Sequence, residues 1–160
     1  MIKEYLGSTL LFEFDLDMEK SPEDCFMDCI NQVQNEIALG SNLELEISHY
    51  QKINVQQFLN RKQRFTYNSI ISGICYMGDN SCLIKFRQDD FFYSIQSNGY
   101  MNFSNGPLIK SSKIDTEYTL HNQKIIVFPS SIDVEIKMDS NSSGYFLIFN
   151  SFFKAMPKII

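Results

Sequence analysis

Alternating apolar and acidic residues mark the first clear element of the chain, the segment TLLFEFDLD. A period of two is typical of a strand with one buried face and one solvent face. The apolar positions are Phe12, Phe14 and Leu16, and the acidic positions are Glu13, Asp15 and Asp17. The pattern predicts a half-buried strand with a row of carboxylates on its outer face.

A helix is predicted directly after this strand, from about Pro22 to Leu39. Ser21 can cap it, Pro22 suits the first helical position, and Asp24 has the spacing of a capping box. Gly40 follows as the expected stop, because a glycine easily adopts the left-handed conformation at a helix end. At about 100° per residue, the apolar stripe is centred on Phe26, Ile30, Val33 and Ile37.

A second alternating strand is expected in LELEIS, where Leu43, Leu45 and Ile47 face one way and Glu44, Glu46 and Ser48 the other. Strand, helix and strand with short joins form a plausible crossover unit, so the two strands are expected to lie parallel in one sheet. In that arrangement one solvent face carries five carboxylates, which are Glu13, Asp15, Asp17, Glu44 and Glu46.

Beyond residue 54 the pattern changes to a short helix and then to strands and turns. NVQQFLNRKQR predicts the helix, with Val55, Phe58 and Leu59 on its apolar side. Strand-like segments then recur about every eight to twelve residues, which favours a largely antiparallel sheet or sandwich. They are FTYNSIISGICYM, SCLIKFR, FFYSIQ, YMNF, TEYTL, KIIVF, IDVEIKM and YFLIFNSFF. The predicted fold class is α+β: an N-terminal strand–helix–strand unit followed by a mainly antiparallel β-sheet or sandwich.

Composition supports one globular domain over residues 1–160. The 160 residues are 44% hydrophobic and 21% charged, and a chain of this length buries a self-sufficient core. The net charge of −5 argues against a nucleic-acid partner, which would require clustered Lys and Arg. No N-terminal apolar run and no span of about 18–20 apolar residues is present. We therefore expect a cytoplasmic protein that is not inserted in a membrane.

The four cysteines are predicted to be packing residues. Cys25 and Cys29 are one helical turn apart, where Cβ atoms lie about 5–6 Å from each other, too far for a disulfide. Cys75 and Cys82 flank a predicted turn, and their faces depend on the strand register. Four Cys with two His do not form a convincing metal spacing, so no metal and no cofactor are predicted.

No recognised catalytic motif is present, and no catalytic residue is predicted. His121 lies in a predicted turn, where an exposed side chain is the simplest interpretation, and His49 ends a predicted strand. Asp89 and Asp90 are further acid–base candidates. The basic cluster Arg61, Lys62 and Arg64, with Phe58, Phe65 and Tyr67 nearby, is best explained as a solvated helix end.

Two functional hypotheses follow from these patterns. The first is a small binding or inhibitor protein that occludes a protein partner with its acidic face, most concretely an immunity protein that neutralises a basic bacterial toxin domain. The second is a β-rich ligand-binding or enzymatic domain, in which His49, Asp89, Asp90 and tyrosines line an unrecognised pocket. A third, a structural subunit of a phage or secretion system, would assemble through exposed strand edges. The sequence does not predict an oligomeric state.

Overall fold

The computed structural model describes residues 1–6, 9–39, 44–58, 62–63, 69–87, 101–103, 115–130 and 132–154. Within these ranges there are twelve strands and two helices. The helices are α1 (Pro22–Glu36) and α2 (Val55–Phe58). The strands are β1 (Ile2–Leu6), β2 (Thr9–Asp15), β3 (Ile37–Leu39), β4 (Leu45–Asn54), β5 (Lys62–Gln63), β6 (Ile71–Gly78), β7 (Cys82–Arg87), β8 (Met101–Phe103), β9 (Asp115–Leu120), β10 (Lys124–Pro129), β11 (Asp133–Lys137) and β12 (Gly144–Phe153).

Two antiparallel sheets and a helix form three layers. The six-stranded sheet has the order β1-β2-β10-β6-β12-β4, and the four-stranded sheet has the order β5-β11-β7-β9. On one face of the larger sheet, α1 buries Phe26, Ile30 and Val33 against strand residues such as Phe12 and Phe149. The other face packs on the smaller sheet through an apolar core that includes Ile74, Phe86, Phe128, Ile136 and Phe146. The α+β class and the mainly antiparallel sheet are therefore confirmed.

Residues at the start of α1 form the predicted cap. The Asp24 N–H donates to Ser21 Oγ at 3.2 Å, and Ser21 Oγ donates to Asp24 Oδ2 at 2.7 Å. The backbone N–H of Cys25 reaches the Ser21 carbonyl at 3.0 Å, which closes the first turn. Phe26 stacks on Phe149 with ring centroids 4.3 Å apart, so the predicted stripe does face the sheet.

The end of α1 differs from the prediction. The helix stops at Glu36, and the next three residues form β3, which pairs antiparallel with β8. The ladder with β8, which lies more than 60 residues along the chain, takes the hydrogen bonds that a longer helix would have used. Helix propensity is a weak preference that such tertiary pairing overrides. The expected stop at Gly40 lies outside the described residues.

The predicted crossover unit is not confirmed. Strands β2 and β4 belong to the same six-stranded sheet, but β10, β6 and β12 lie between them. The four intervening pairings are all antiparallel, so β2 and β4 run in the same direction without touching. The helix connects two distant strands of the sheet instead of two neighbours.

Five of the connections that the structure describes lie at one end of the two sheets. The β2–α1, β4–α2, β6–β7, β9–β10 and β11–β12 connections meet there, because Asp15 pairs with Lys124, Gly78 with Gly144 and Asn54 with Tyr145. We call this the turn end. At the opposite end of β6 and β12, buried serines and an asparagine take the place of apolar residues.

No helix among the described residues has the length and apolar character that crossing a bilayer requires.

Candidate functional site

The β2–α1 connection is a short, hydrogen-bonded segment at the turn end. The Leu16 N–H donates to the Gln123 carbonyl at 2.9 Å, which ties the connection to the β9–β10 turn. Asp17 accepts two further hydrogen bonds in this segment. Its Oδ1 accepts from the Glu19 N–H at 3.0 Å, and its backbone carbonyl accepts from Cys25 Sγ at 3.2 Å. The backbone of the connection is thus attached both to the sheet and to the first turn of α1.

This connection and the first turns of α1 concentrate negative charge. Six carboxylates on a stretch of 14 residues are exposed, and we call them the acidic corner: Asp15, Asp17, Glu19, Glu23, Asp24 and Asp28. The side chain of Asp15 is 84% exposed. Two of the six lie in the first turn of the helix, where the positive end of its dipole stabilises them.

Two lysines partly neutralise the acidic corner. Lys20 Nζ lies 2.7 Å from Asp28 Oδ2 and 4.0 Å from Asp17 Oδ2, and its hydrogen bond to Asp28 raises the lysine pKa. Lys124 Nζ lies 2.5 Å from Asp15 Oδ1 and 3.6 Å from Glu13 Oε1, and the bond to Asp15 raises the pKa of this lysine too. Because two ammonium groups face six carboxylates, the corner keeps an excess of negative charge.

An exposed apolar side chain lies within this charge. Met18 follows Asp17 in the connection and is 61% exposed, although its neighbours Leu16 and Cys25 turn toward the helix-side core. Of the residues that the structure describes, Met1 is the other large hydrophobic side chain with comparable exposure. A flexible thioether surrounded by charged groups is suited to fill an apolar pocket of a binding partner.

The five acidic residues predicted from the sequence do not form one group. Asp15 and Asp17 lie in the acidic corner, and Glu13 lies beside it with 18% of its side chain exposed. Glu44 and Glu46 lie at the other end of β4, where Glu44 Oε2 faces Lys154 Nζ at 3.8 Å. Three strands intervene, which is about 19 Å across the sheet. The strand pattern did not group Glu19, Glu23, Asp24 and Asp28 with Asp15, although acidic residues are dense in the segment DLDMEKSPED.

Most of the other candidates from the sequence lie outside the part of the chain that the structure describes. Asp89, Asp90, Arg61 and Arg64 lie outside the described residues. His49 belongs to β4, where it is opposite Asn150. His121 is exposed in the β9–β10 turn, as predicted. Within the described ranges, no group of three or more His, Cys, Asp and Glu is placed to hold a metal ion.

All four thiols are free and buried, which confirms their predicted packing role. Cys25, Cys29 and Cys75 belong to the helix-side core, whereas Cys82 belongs to the core between the sheets. Strands β6 and β7 belong to different sheets, so Cys75 and Cys82 are not opposite each other across the turn and pack in different cores. Desolvation raises the pKa of Cys29, Cys75 and Cys82 to about 12, so these thiols stay protonated and unreactive near neutral pH.

The outer face of the four-stranded sheet is a second charged surface, with a different arrangement. We call it the ladder face, and it comprises Leu83, Lys85, Glu117, Thr119, Asp133, Glu135 and Lys137, which alternate with buried residues. The register places Lys62 and Lys85 on either side of Glu135, and Arg87 opposite Asp133. Lys85 is also opposite Glu117, whose Oε1 lies 4.0 Å from Lys137 Nζ.

No protein-family model matches the sequence, and no curated protein matches it significantly.

Proposed function

We propose that the protein binds a basic protein partner through the acidic corner and blocks that partner's activity, as an immunity protein does with a bacterial toxin domain. The observation that carries the proposal is the excess of exposed carboxylates around Met18 in a hydrogen-bonded connection. Fixed charge of one sign raises the rate at which an oppositely charged partner is captured. The exposed methionine supplies apolar contact area, which retains the partner after it has been captured.

The arrangement suits a protein surface better than a phosphate backbone. Carboxylates repel nucleic acid, which is bound through Lys and Arg, and they attract the basic surfaces with which nucleases and other nucleic-acid-binding toxins bind their targets. An inhibitor of this kind can cover such a surface by presenting the same charge as the nucleic acid. The proposal includes a cytoplasmic location, which is supported by four buried thiols that are all free, because disulfides are rare in that compartment.

The ligand-binding or enzymatic hypothesis has no specific observation in its favour among the described residues, since its candidates Asp89 and Asp90 lie outside them. Assembly through strand edges is disfavoured at β4, which is one of the two edge strands of the six-stranded sheet in the described residues. Its pairing with β12 is interrupted by a bulge opposite Asn150 and Ser151. Its exposed Lys52 lies over the Tyr145 ring at 3.8 Å. Bulges and lysines are features that protect strand edges from pairing with other chains.

Co-expression tests the proposal. The C-terminal domain encoded by the reading frame next to this gene in its genome is expressed in a bacterial host, alone and together with this chain. We expect the domain to be basic and to arrest growth, and we expect this chain to restore growth. The variant Asp15→Lys/Glu19→Lys should restore growth poorly, because it reverses two charges of the acidic corner.

The matched control is Glu44→Lys/Glu46→Lys, which changes the net charge by the same amount at the distant end of β4. Rescue by this control together with failure of the corner variant supports the acidic corner as the binding surface. Equal rescue by wild type and both variants would refute the role of the corner, and a neighbouring domain that does not bind this chain would refute the immunity function.

A further inference from the structure

The central strands of the six-stranded sheet raise a question of register. In β6 the six residues from Ile71 to Tyr76 are buried, as are the five residues from Ile125 to Pro129 in β10 and the residues 146–151 in β12. A strand with one solvent face has its register fixed by the hydrophobic pattern, since a slip of one residue exposes its apolar side chains. These strands are apolar on both faces, and a slip of two residues keeps every side chain on its own face. The hydrophobic pattern therefore specifies their register only weakly.

A chain of polar side chains crosses these strands at one level, between the two sheets. Ser72 Oγ in β6 donates to Asn150 Oδ1 in β12 at 2.7 Å. Ser130 Oγ, just after β10, lies 2.7 Å from Ser72 Oγ and 2.7 Å from Ser69 Oγ. All four residues are buried, with exposed fractions from 0% to 8%.

The direction of this chain follows from the number of its hydrogens. Each hydroxyl has one hydrogen, and that of Ser72 goes to Asn150, so Ser130 must donate to Ser72 and Ser69 must donate to Ser130. The backbone carbonyl oxygens of Ile71 and Ser151 also lie close to Ser69 Oγ, but each accepts a hydrogen bond from a nearer donor. Ser151 Oγ donates to the Ile71 oxygen at 2.8 Å, and the Ile70 N–H donates to the Ser151 oxygen at 2.8 Å. Every hydroxyl hydrogen thus has a defined acceptor in this register.

A second feature that depends on the strand register lies one residue further along β6, on the opposite face of the sheet. Gly73 is paired with Phe149, and a Cβ atom at position 73 would overlap the Phe149 ring. The ring therefore occupies the space above the glycine and stacks there on Phe26 of α1. A two-residue slip would bring Phe149 over Ile71 or Cys75, which both carry side chains that the ring cannot displace.

We propose that the chain Ser69, Ser130, Ser72 and Asn150 is a register lock that selects one alignment of β6, β10 and β12, with the Gly73–Phe149 pair as its counterpart on the helix side. After a slip of two residues, Ser72 would be opposite Ile148 or Phe152, and Asn150 opposite Ile70 or Ile74. Buried hydroxyl and amide groups would then lose their partners, which is strongly unfavourable in an apolar interior. The lock is independent of the proposed partner binding.

The native cysteine in β6 provides a direct reporter of register. Cys75 is opposite Leu147 in the native register, so Met77→Cys/Leu147→Cys should form a 75–147 disulfide when the reduced, unfolded protein, whose thiols are accessible, is refolded with glutathione disulfide as oxidant. A slip in one direction would instead bring residue 77 opposite residue 147. A slip in the other direction would bring Cys75 opposite residue 145, which Tyr145→Cys reports. Diagonal neighbours are about 7–8 Å apart and too distant to be linked, so peptide mapping identifies the register.

The lock is removed by Ser72→Ala/Ser130→Ala/Asn150→Leu in each reporter background, and Ser142→Ala, a buried serine at the turn end, is the control. With the lock present, or with the control, we expect the 75–147 link and only background amounts of 77–147 and 75–145. Without the lock, the slipped links should rise at least 10-fold while the far-UV circular dichroism still shows β-sheet.

A lock-free protein that forms only the 75–147 link would overturn the proposal. Where the triple variant loses its β-sheet signal, Ser130→Ala, which removes only the middle hydroxyl, is measured in the same way. Slipped links in that variant support the lock. Their absence shows that the serines stabilise the native sheet without selecting its register, and refutes it.

Discussion

The acidic corner and the ladder face are both rich in exposed charge, but they are organised in opposite ways. On the ladder face the register places a basic residue opposite each acidic one, and none of Lys85, Asp133 and Glu135 is without a partner. In the acidic corner six carboxylates share Lys20 and Lys124. Alternating charges cancel within a few ångströms, whereas unbalanced charges project a field to about a Debye length, about 8–10 Å at physiological ionic strength.

The difference separates two uses of surface charge. Opposite charges across strands stabilise a sheet and specify its pairing, so the ladder face serves the fold. An excess of like charges repels itself and does not favour folding, apart from the cap and the two lysine contacts described above, and this excess suits the capture of a partner. The contrast also explains why a net charge of −5 does not by itself predict a binding surface, because binding depends on where an excess of one charge is located.

The largest expected effect is on the association rate with a basic partner. Asp15→Lys/Glu19→Lys should lower the rate constant by ~10–100-fold, because it replaces attraction with repulsion at the point of encounter. Stopped-flow fluorescence with the captured partner measures it. The dissociation rate should change less, because reversal of exposed charges acts mainly on the encounter.

Two control variants with the same change in net charge distinguish a local effect of the acidic corner from an effect of overall charge. Glu117→Lys/Asp133→Lys alters the ladder face, and Glu44→Lys/Glu46→Lys alters the distant end of β4. Both should lower the rate constant by less than about 3-fold, as a change in overall charge does at a distance beyond the Debye length. If Glu44→Lys/Glu46→Lys lowered the rate constant more than Asp15→Lys/Glu19→Lys did, the partner would bind near Glu44 and Glu46 and not at the acidic corner.

A smaller effect is expected from removing the apolar centre of the corner. Met18→Ala should weaken binding by about 1–2 kcal/mol, in the range of interface residues that matter without dominating, and it should act on the dissociation rate. Leu83→Ala, on the ladder face, removes a partly exposed apolar side chain where no contact is proposed. Isothermal titration calorimetry that gave equal losses for both variants would show that Met18 makes no contact with the partner.

The smallest effect concerns stability and tests the ladder face. Glu135→Lys puts a lysine between Lys62 and Lys85 in the register, and we expect it to lower the free energy of unfolding by about 0.5–1 kcal/mol. Glu19→Lys in the acidic corner should change it by less than about 0.5 kcal/mol. Urea unfolding followed by circular dichroism measures both. The reverse order of the two values would mean that the corner charges, and not the ladder charges, hold the fold together.

The sequence predicted the local elements well, because their determinants are local. Alternation identified β2, and Ser21, Pro22 and Asp24 identified the start of α1, where the structure has the same cap. Most of the later strands were predicted from patterns of the same kind, and so was the short helix α2 (Val55–Phe58). The predicted helix also included Lys62 and Gln63, which instead form strand β5 and pair with β11, so Lys62 does not lie at a helix end. The first strand, β1, was not recognised.

The parts that failed depend on contacts between distant segments. The pairing of β3 with β8 shortens α1, and β10, β6 and β12 insert between β2 and β4; neither is encoded in the segments themselves. The candidate site was half predicted for the same reason. Asp15 and Asp17 were identified from the strand pattern, but Glu44 and Glu46 were grouped with them through a crossover that the sheet does not contain.

The salt dependence of association tests the central claim most directly. The rate constant of the wild-type protein with its basic partner is measured from 20 mM to 500 mM NaCl and compared with that of Asp15→Lys/Glu19→Lys. If the acidic corner captures the partner, the wild-type rate falls by ~10-fold or more over this range while the rate of the variant stays nearly constant. Parallel salt dependence of the two proteins would contradict the account, because the attraction would then arise elsewhere on the molecule.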